Sequence, residues 1–238
     1  MLHPLNHRGA QAQADLATIK SRDILVRSRT KLINHVRGIV KANGDRLPKC
    51  SSVSFVKRCE NLVPNELRLG LIPLFKALDA LNMQIKELDT IIDKLSAERY
   101  PETKYLRQIS GVGPITALAF VLTIEEPDRF LKSRQVGPFL GLTPRKDQSG
   151  DSDKQLSITK TGNTYLRSLL VKSAQYIMGP FGQESNLRLH GLKLAARGGK
   201  NAKKRAVIAI ARKLSILLHR LWITKGVYQP FYGITKAA

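Results

Sequence analysis

Acidic residues are scarce in this chain: 18 Asp and Glu stand against 40 Lys and Arg across 238 residues, a formal charge of +22. That deficit points to nucleic acid and away from an acidic protein partner. Cysteine is limited to Cys50 and Cys59. Their spacing fits no common zinc pattern, and two cysteines make no disulfide framework, so unreactive thiols in a reducing cytoplasm are expected. Aromatics are 6% of the chain while the hydrophobic fraction is an ordinary 42%, which suits a globular, mainly α protein. No apolar run approaches membrane-spanning length, and Met1-Leu2-His3-Pro4 opens no apolar signal region. The expectation is a cytoplasmic protein with no membrane partner.

What charge there is lies unevenly. Residues 1–60 carry a net +8, 61–100 a net −1, 101–150 a net +2 and 151–238 a net +13. A near-neutral spacer therefore separates two basic regions. In the first, Leu16, Ile19, Val26, Ile33, Val36 and Val40 recur at helical spacing, which predicts a long helix over about 11–42. Its other faces carry Lys20, Arg22, Arg27, Arg29, Lys31 and Arg37, and Gly44 ends it. Residues 43–60 read as an irregular basic connection, and 64–72 as a short helical turn stopped by Pro73. Then Leu74, Leu78, Leu81, Ile85, Leu88, Ile92 and Leu95 alternate steps of four and three, the seam of a coiled coil. Pairing with the first helix or with a second copy both satisfy it; the narrow seam favours the second copy and a homo-oligomer.

Residues 106–117 have the form of a helix, a Gly111-Val112-Gly113 hairpin and a second helix opened by Pro114. Such a helix-hairpin-helix aims amide hydrogens at a phosphate, with Gly111 and Gly113 as the contact. A plain glycine turn between two core helices leaves the same letters. Residues 141–161 are polar and lack apolar periodicity, which predicts an irregular loop with a short extended piece near Leu156–Ile158. In it, Ser149 lies among Arg145, Lys146, Lys154 and Lys160. A hydroxyl among fixed cations suits phosphoryl transfer; a merely phosphate-binding serine fits as well. Asn163 or Thr164 caps the next helix, which carries Leu166, Leu169, Leu170, Ala174 and Ile177. Residues 179–205 read as basic loop and 206–221 as a last helix. Trp222, Tyr228, Phe231 and Tyr232 are expected to pack the tail.

Taken together, Ile109-Ser110-Gly111-Val112-Gly113-Pro114, Phe139-Leu140-Gly141-Leu142-Thr143-Pro144, Gln148-Ser149-Gly150 and Ile158-Thr159-Lys160-Thr161-Gly162-Asn163 closely resemble the C-terminal domain of the insertion sequence one-ten family of transposases. The Ala206–Leu221 helix and the stretch from Leu25 through the coiled coil resemble it too. The resemblance implies a DNA recombinase of a mobile element that acts as an oligomer with a structured guide RNA. It implies Ser149 as the catalytic nucleophile and a nucleoid-associated location. Arg145, Lys146, Lys160 and Arg167 are, by position, the candidate DNA-phosphate contacts. The family's magnesium is held by four acids in an N-terminal RuvC-like domain. The matching region begins after those acids, and Asp15, Asp23 and Asp45 do not resemble them, so this chain is expected to hold no metal and to be a truncated copy, inactive alone. The expected segments are a basic helical remnant over 1–63, the coiled coil over 64–100 and the transposase domain over 101–238.

Two other functions fit part of the sequence. A non-catalytic nucleic-acid-binding protein would need only the basic regions. A DNA glycosylase shares the Gly-Val-Gly-Pro hairpin followed by an Asp, here Asp128, but the basic loop after it does not suit a base pocket.

Overall fold

The computed structural model describes residues 9–149 and 152–232, with the backbone alone for 146–155. The loop expected over 1–8 lies outside the described residues. The chain is mainly α and divides into two compact units, Gly9–Lys94 and the residues from Leu95 onward.

The first unit is an antiparallel helical hairpin. Helix α1 runs Ala10–Ala42, and Gly44, at φ +97, turns the chain out of it. A short helix α2, Phe55–Cys59, interrupts the connection expected to be irregular. Helix α3 runs Asn65–Glu98 without a break at Pro73. The proline removes one backbone hydrogen bond to residue 69, but Leu69 is 90% exposed, so the gap opens on the solvent side of the helix. Arg22 pairs with both carboxylate oxygens of Asp89, at 2.6 and 3.2 Å, and Arg29 donates to Asn82 at 2.9 Å. These two contacts fix one register, which sets Ile19 opposite Ile92 and Ile33 opposite Leu78. All four of those residues are buried.

The seam expected to meet a second copy is thus met by α1. Its row Leu71, Leu78, Ile85 and Ile92 is sunk, whereas Leu74, Leu81, Leu88 and Leu95 are half-buried flanks. Ile33, Val36 and Val40 share one core with Phe55, Cys59, Val63, Leu71 and Phe75, and the Phe55 and Phe75 rings stack at 5.8 Å. Full burial of each such side chain is worth about 1.5–3 kcal/mol, against about 0.2–1 kcal/mol for a half-exposed ion pair. The apolar row holds the hairpin; the Arg22–Asp89 pair selects its register.

Cys59 lies on the floor of that core, with its Sγ 3.8 Å from the Cys50 Sγ. Burial, then the hydrogen bond to Cys50, raises the Cys59 thiol from 9.0 to about 11. Its folded value stands above its unfolded one, so this contribution to stability is whole below pH 9 and is lost as pH climbs towards 11. Chemical denaturation between pH 8 and 11 should show the loss, and a Cys59→Ala variant should lose less over the same window.

The second unit is built on α5, Pro114–Ile124, buried at every position from Thr116 to Ile124. A helix apolar on all sides has to be central, and α5 is covered by α4 (Thr103–Leu106) and α7 (Thr164–Met178). Helix α4 is a single turn, where the sequence predicts helix as far as Ile109. The 3-10 turns Pro127–Arg129 and Ser133–Gln135 lead to α6, Val136–Phe139. Helix α8, Asn186–Ala195, stands where a loop is expected, its first turn capped by Ser185 accepting from the Arg188 amide. The sequence conceals α8 because its apolar residues are spread round it, leaving Leu189 and Leu192 exposed. Helix α9, Ala202–Thr224, packs on α7 and α8 with Ile210, Leu214 and Leu218 buried.

Residues 144–158 correct the expected irregular loop. Strands β1, Pro144–Ser149, and β2, Ser152–Ile158, pair antiparallel, with Lys146 opposite Gln155, Asp147 opposite Lys154 and Ser149 opposite Ser152. The extended piece expected near Leu156–Ile158 is the end of β2, but the sequence conceals its partner because Arg145, Lys146, Asp147 and Gln148 of β1 are all polar and show no apolar alternation.

Candidate nucleic-acid interface

The ribbon stands on a pinched base. Gly141 has φ +65, and a side chain there would collide with the Thr161 carbonyl. Gly162 has φ +72, and a side chain there would collide with the Phe139 carbonyl. Both positions need the left-handed region and a close backbone neighbour, and glycine alone provides the two together. Across the pinch the Thr159 amide donates to Thr143 O at 2.9 Å and the Lys160 amide to Gly141 O at 3.2 Å. Arg167, on the first turn of α7, closes it from below. Its Nη1 donates to Leu140 O at 3.0 Å and to Thr161 O at 2.6 Å, and its Nη2 to Thr164 Oγ1 at 3.2 Å. Helix α7 is aimed by Asn163, whose side chain accepts from the Leu166 amide at 3.0 Å, as its sequence position predicts.

Arg167 is expected as a phosphate contact, but only 8% of it is exposed and its guanidinium is committed to backbone oxygens. It is a strut under the ribbon. Arg145 and Lys160 are both exposed and flank that base. Ser149 lies at the other end, four residues beyond Arg145, or about 13 Å along an extended strand. The cations that crowd Ser149 in the sequence are therefore spread along a ribbon, with Lys146 and Lys154 on its two strands nearer the end. The side chains of Ser149 and Lys146 lie outside the described residues.

The two hairpin glycines separate in the same way. Gly111, at φ +92, faces α7: a side chain there would press on the Tyr176 ring at 2.8 Å and Ser173 O at 3.3 Å. Its missing side chain allows helix packing. Gly113 is exposed, stands before the first turn of α5 and has open space around it at an ordinary φ of −85. Of the pair, only Gly113 borders an accessible helix start.

Residues 103–189, which take in α4, α5, the ribbon and α7, match the model of the transposase IS116/IS110/IS902 family. This segment is similar to that family. Over 90% of the chain, the sequence is 31% identical to the transposase for insertion sequence element IS1111A of Coxiella burnetii. Over 94% it is 26% identical to a probable family 20 transposase of Pseudomonas aeruginosa. Over 48% it is 33% identical to a pilin gene-inverting protein of Moraxella lacunata. The chain spans 59% of the first relative's length, 67% of the second's and 36% of the third's.

Sequence reasoning overlooks the structural pins of this unit. Gly141 and Gly162 are visible as a glycine at each end of the polar stretch. His219 of α9 is a third, fully buried. Its Nε2 donates to Pro127 O at 2.9 Å, and its Nδ1 shares a hydrogen bond with Ser133 Oγ at 3.0 Å. That bridge fixes both 3-10 turns ahead of α6 and, through α6, the approach to the ribbon. Asp128, the glycosylase candidate, lies exposed on the first of these turns. No group of three or more His, Cys, Asp or Glu among the described residues could hold a metal ion, and among them no helix is long and apolar enough to cross a membrane.

Proposed function

We propose that this chain handles DNA in the strand exchange of an insertion sequence, with Ser149 as the nucleophile. The observation that carries the reading is the rigidly seated ribbon: it ends at Ser149 and lies inside the segment that matches the transposase family. A ribbon of this width can enter a DNA groove and bring its end to a backbone phosphate. There the Ser149 hydroxyl attacks phosphorus, one phosphodiester P–O bond breaks and the displaced deoxyribose oxygen takes a proton. The serine phosphodiester so formed conserves the bond energy, and attack by a hydroxyl of a second strand releases Ser149 and joins the new ends. Arg145 and Lys160 at the base, with Lys146 further out, hold the phosphates that flank the target. Gly113 at the start of α5 adds a backbone contact of the kind helix starts offer anions.

The name of the Moraxella relative, a pilin gene-inverting protein, is consistent with this reading. A structured guide RNA and a homo-oligomer belong to the same reading through the resemblance, and the basic regions suit the RNA. The magnesium that the resemblance implies finds no fitting residues among those described, so no step above runs through it.

A second reading, binding without catalysis, is favoured by the distance between the exposed cations and Ser149. One experiment separates the two. The chain is mixed with DNA bearing the ends of its element, alone and together with a relative long enough to include the acidic domain, and covalent protein–DNA adducts are resolved on denaturing gels. Ser149→Ala should abolish the adduct while leaving DNA affinity within about twofold. An adduct that persists in Ser149→Ala excludes this serine, and absence of any adduct in either mixture leaves binding as the function.

A further inference from the structure

The chain has 14 aromatic residues, and among the described ones four are more than a third exposed: Tyr176 at 45%, Phe181 at 80%, Phe231 at 45% and Tyr232 at 66%. The sequence predicts that Phe231 and Tyr232 pack the tail; both rings lie open to solvent. A shallow cavity is walled by Ile109, Ile177, Leu187, Tyr228 and Pro230, and the segments that carry the four rings run into that wall. Tyr176 precedes Ile177, Phe231 and Tyr232 follow Pro230, and Phe181 stands two residues before Gln183 of the same wall.

These rings sit on fastened backbone. Gln108 donates to Gly226 O at 3.0 Å and accepts from the Tyr228 amide at 2.9 Å. Asn186 holds Pro230 O at 2.8 Å through its amide and Tyr232 O at 2.9 Å through its side chain. Arg188 ties the Phe181 turn down by donating to the carbonyls of Ile177 and Gly179. The Tyr176 ring is seated against Gly111. Rings held open in this way keep their faces free without the entropic cost of ordering a loose chain.

The surrounding charge has one sign. Segments 172–188 and 220–232 carry Lys172, Arg188, Arg220 and Lys225 against a single acid, Glu184, which Arg188 engages at 3.0 Å. The Arg220 guanidinium lies 5.5 Å from the centre of the Tyr232 ring, and Lys172 is one helical turn before Tyr176 on the same face of α7. A protein surface meant for a second copy of a +22 chain would bring these cations against cations. A polyanion with flat apolar groups satisfies both the rings and the charges.

We propose that Tyr176, Phe181, Phe231 and Tyr232 form a stacking platform for unpaired bases of a single-stranded or looped nucleic acid, with Lys172, Arg220 and Lys225 meeting its phosphates. The platform deepens the strand-exchange reading, in which unpaired strands or a structured RNA must be held while duplex is opened, and it does not use Ser149. Duplex DNA hides its base faces and cannot stack on it.

The test is fluorescence anisotropy of the full chain with three labelled probes at one salt concentration: an unstructured DNA 15-mer, an RNA 15-mer of the same sequence and a 15-base-pair DNA duplex. Phe181→Leu and Tyr232→Leu keep the apolar bulk and remove the ring face. Each is expected to weaken binding of the single strands about tenfold while leaving the duplex unchanged, and Phe181→Trp is expected to retain single-strand binding. Equal loss on the DNA and RNA probes is the signature of base stacking; loss on RNA alone assigns the platform to an RNA partner. Single-strand affinity unchanged in both leucine variants overturns the proposal, as does an equal loss on the duplex. Ring-dependent self-association in sedimentation, without ring-dependent binding, reassigns the face to a second copy and overturns it too. The adduct assay is independent: Ser149→Ala should leave all three affinities intact, so failure of the serine reading and failure of the platform give different results.

Discussion

Gly162→Ala is expected to lose about 2–5 kcal/mol of stability. The left-handed conformation costs an L-residue about 1–2 kcal/mol, and forcing a methyl into a packed site costs about 1–3 kcal/mol more. The relieving atoms would have to be backbone, because the side chain meets the Phe139 carbonyl and the Leu140 α-carbon, neither of which can rotate aside. A thermal melt followed by circular dichroism should record a drop of about 5–15 °C. Gly113→Ala is the matched control. It has an ordinary φ and no neighbour within 4 Å, so its melting temperature should hold or rise slightly. Equal tolerance of alanine at both sites would mean that the ribbon base is not pinched as described.

Arg167→Leu should cost about 1–3 kcal/mol, for a different reason. Leu140 O would be left buried without a donor, while Thr161 O and Thr164 Oγ1, on exposed residues, can turn to water. Lysine should not rescue the site, because a single ammonium cannot span acceptors that a planar fork reaches from two nitrogens. Hydrogen exchange locates the damage. The Thr159 and Lys160 amides, which donate across the base, should lose protection in Arg167→Leu while α5 keeps its own. A variant of wild-type stability with weakened DNA binding would instead return Arg167 to the phosphate contacts.

These two residues mark where the sequence was readable and where it was not. Long periods survive translation into structure: α1 and α3 follow the spacing of Ile19, Ile33, Val36 and Val40 and of Leu78, Ile85 and Ile92, because a helix that buries one face must repeat. Pro73 misleads because a proline on the solvent side of a long helix sacrifices a bond that faces water. The register of α3 against α1 is marked by two polar contacts, Arg22–Asp89 and Arg29–Asn82, that no periodicity reveals. The ribbon is hidden because its first strand is polar on both faces. Arg167 is hidden because a buried arginine and a surface arginine are the same letter; burial by Leu140 and Thr161, 27 and 6 residues away, decides its role. The glycine pair at 111 and 113 announces a turn correctly, yet the left-handed member turns out to face α7.

A ribbon so largely polar, with its Leu156 left exposed, owes its pairing to its anchored ends and not to a core beneath it. Its length is then a free variable. Adding two residues to each strand would carry Ser149 outward by about 7 Å at the usual rise per residue, with the pinch at Gly141 and Gly162 untouched. Reach towards a distant phosphate can thus be tuned by insertion alone, with no need to redesign the helices that bear it.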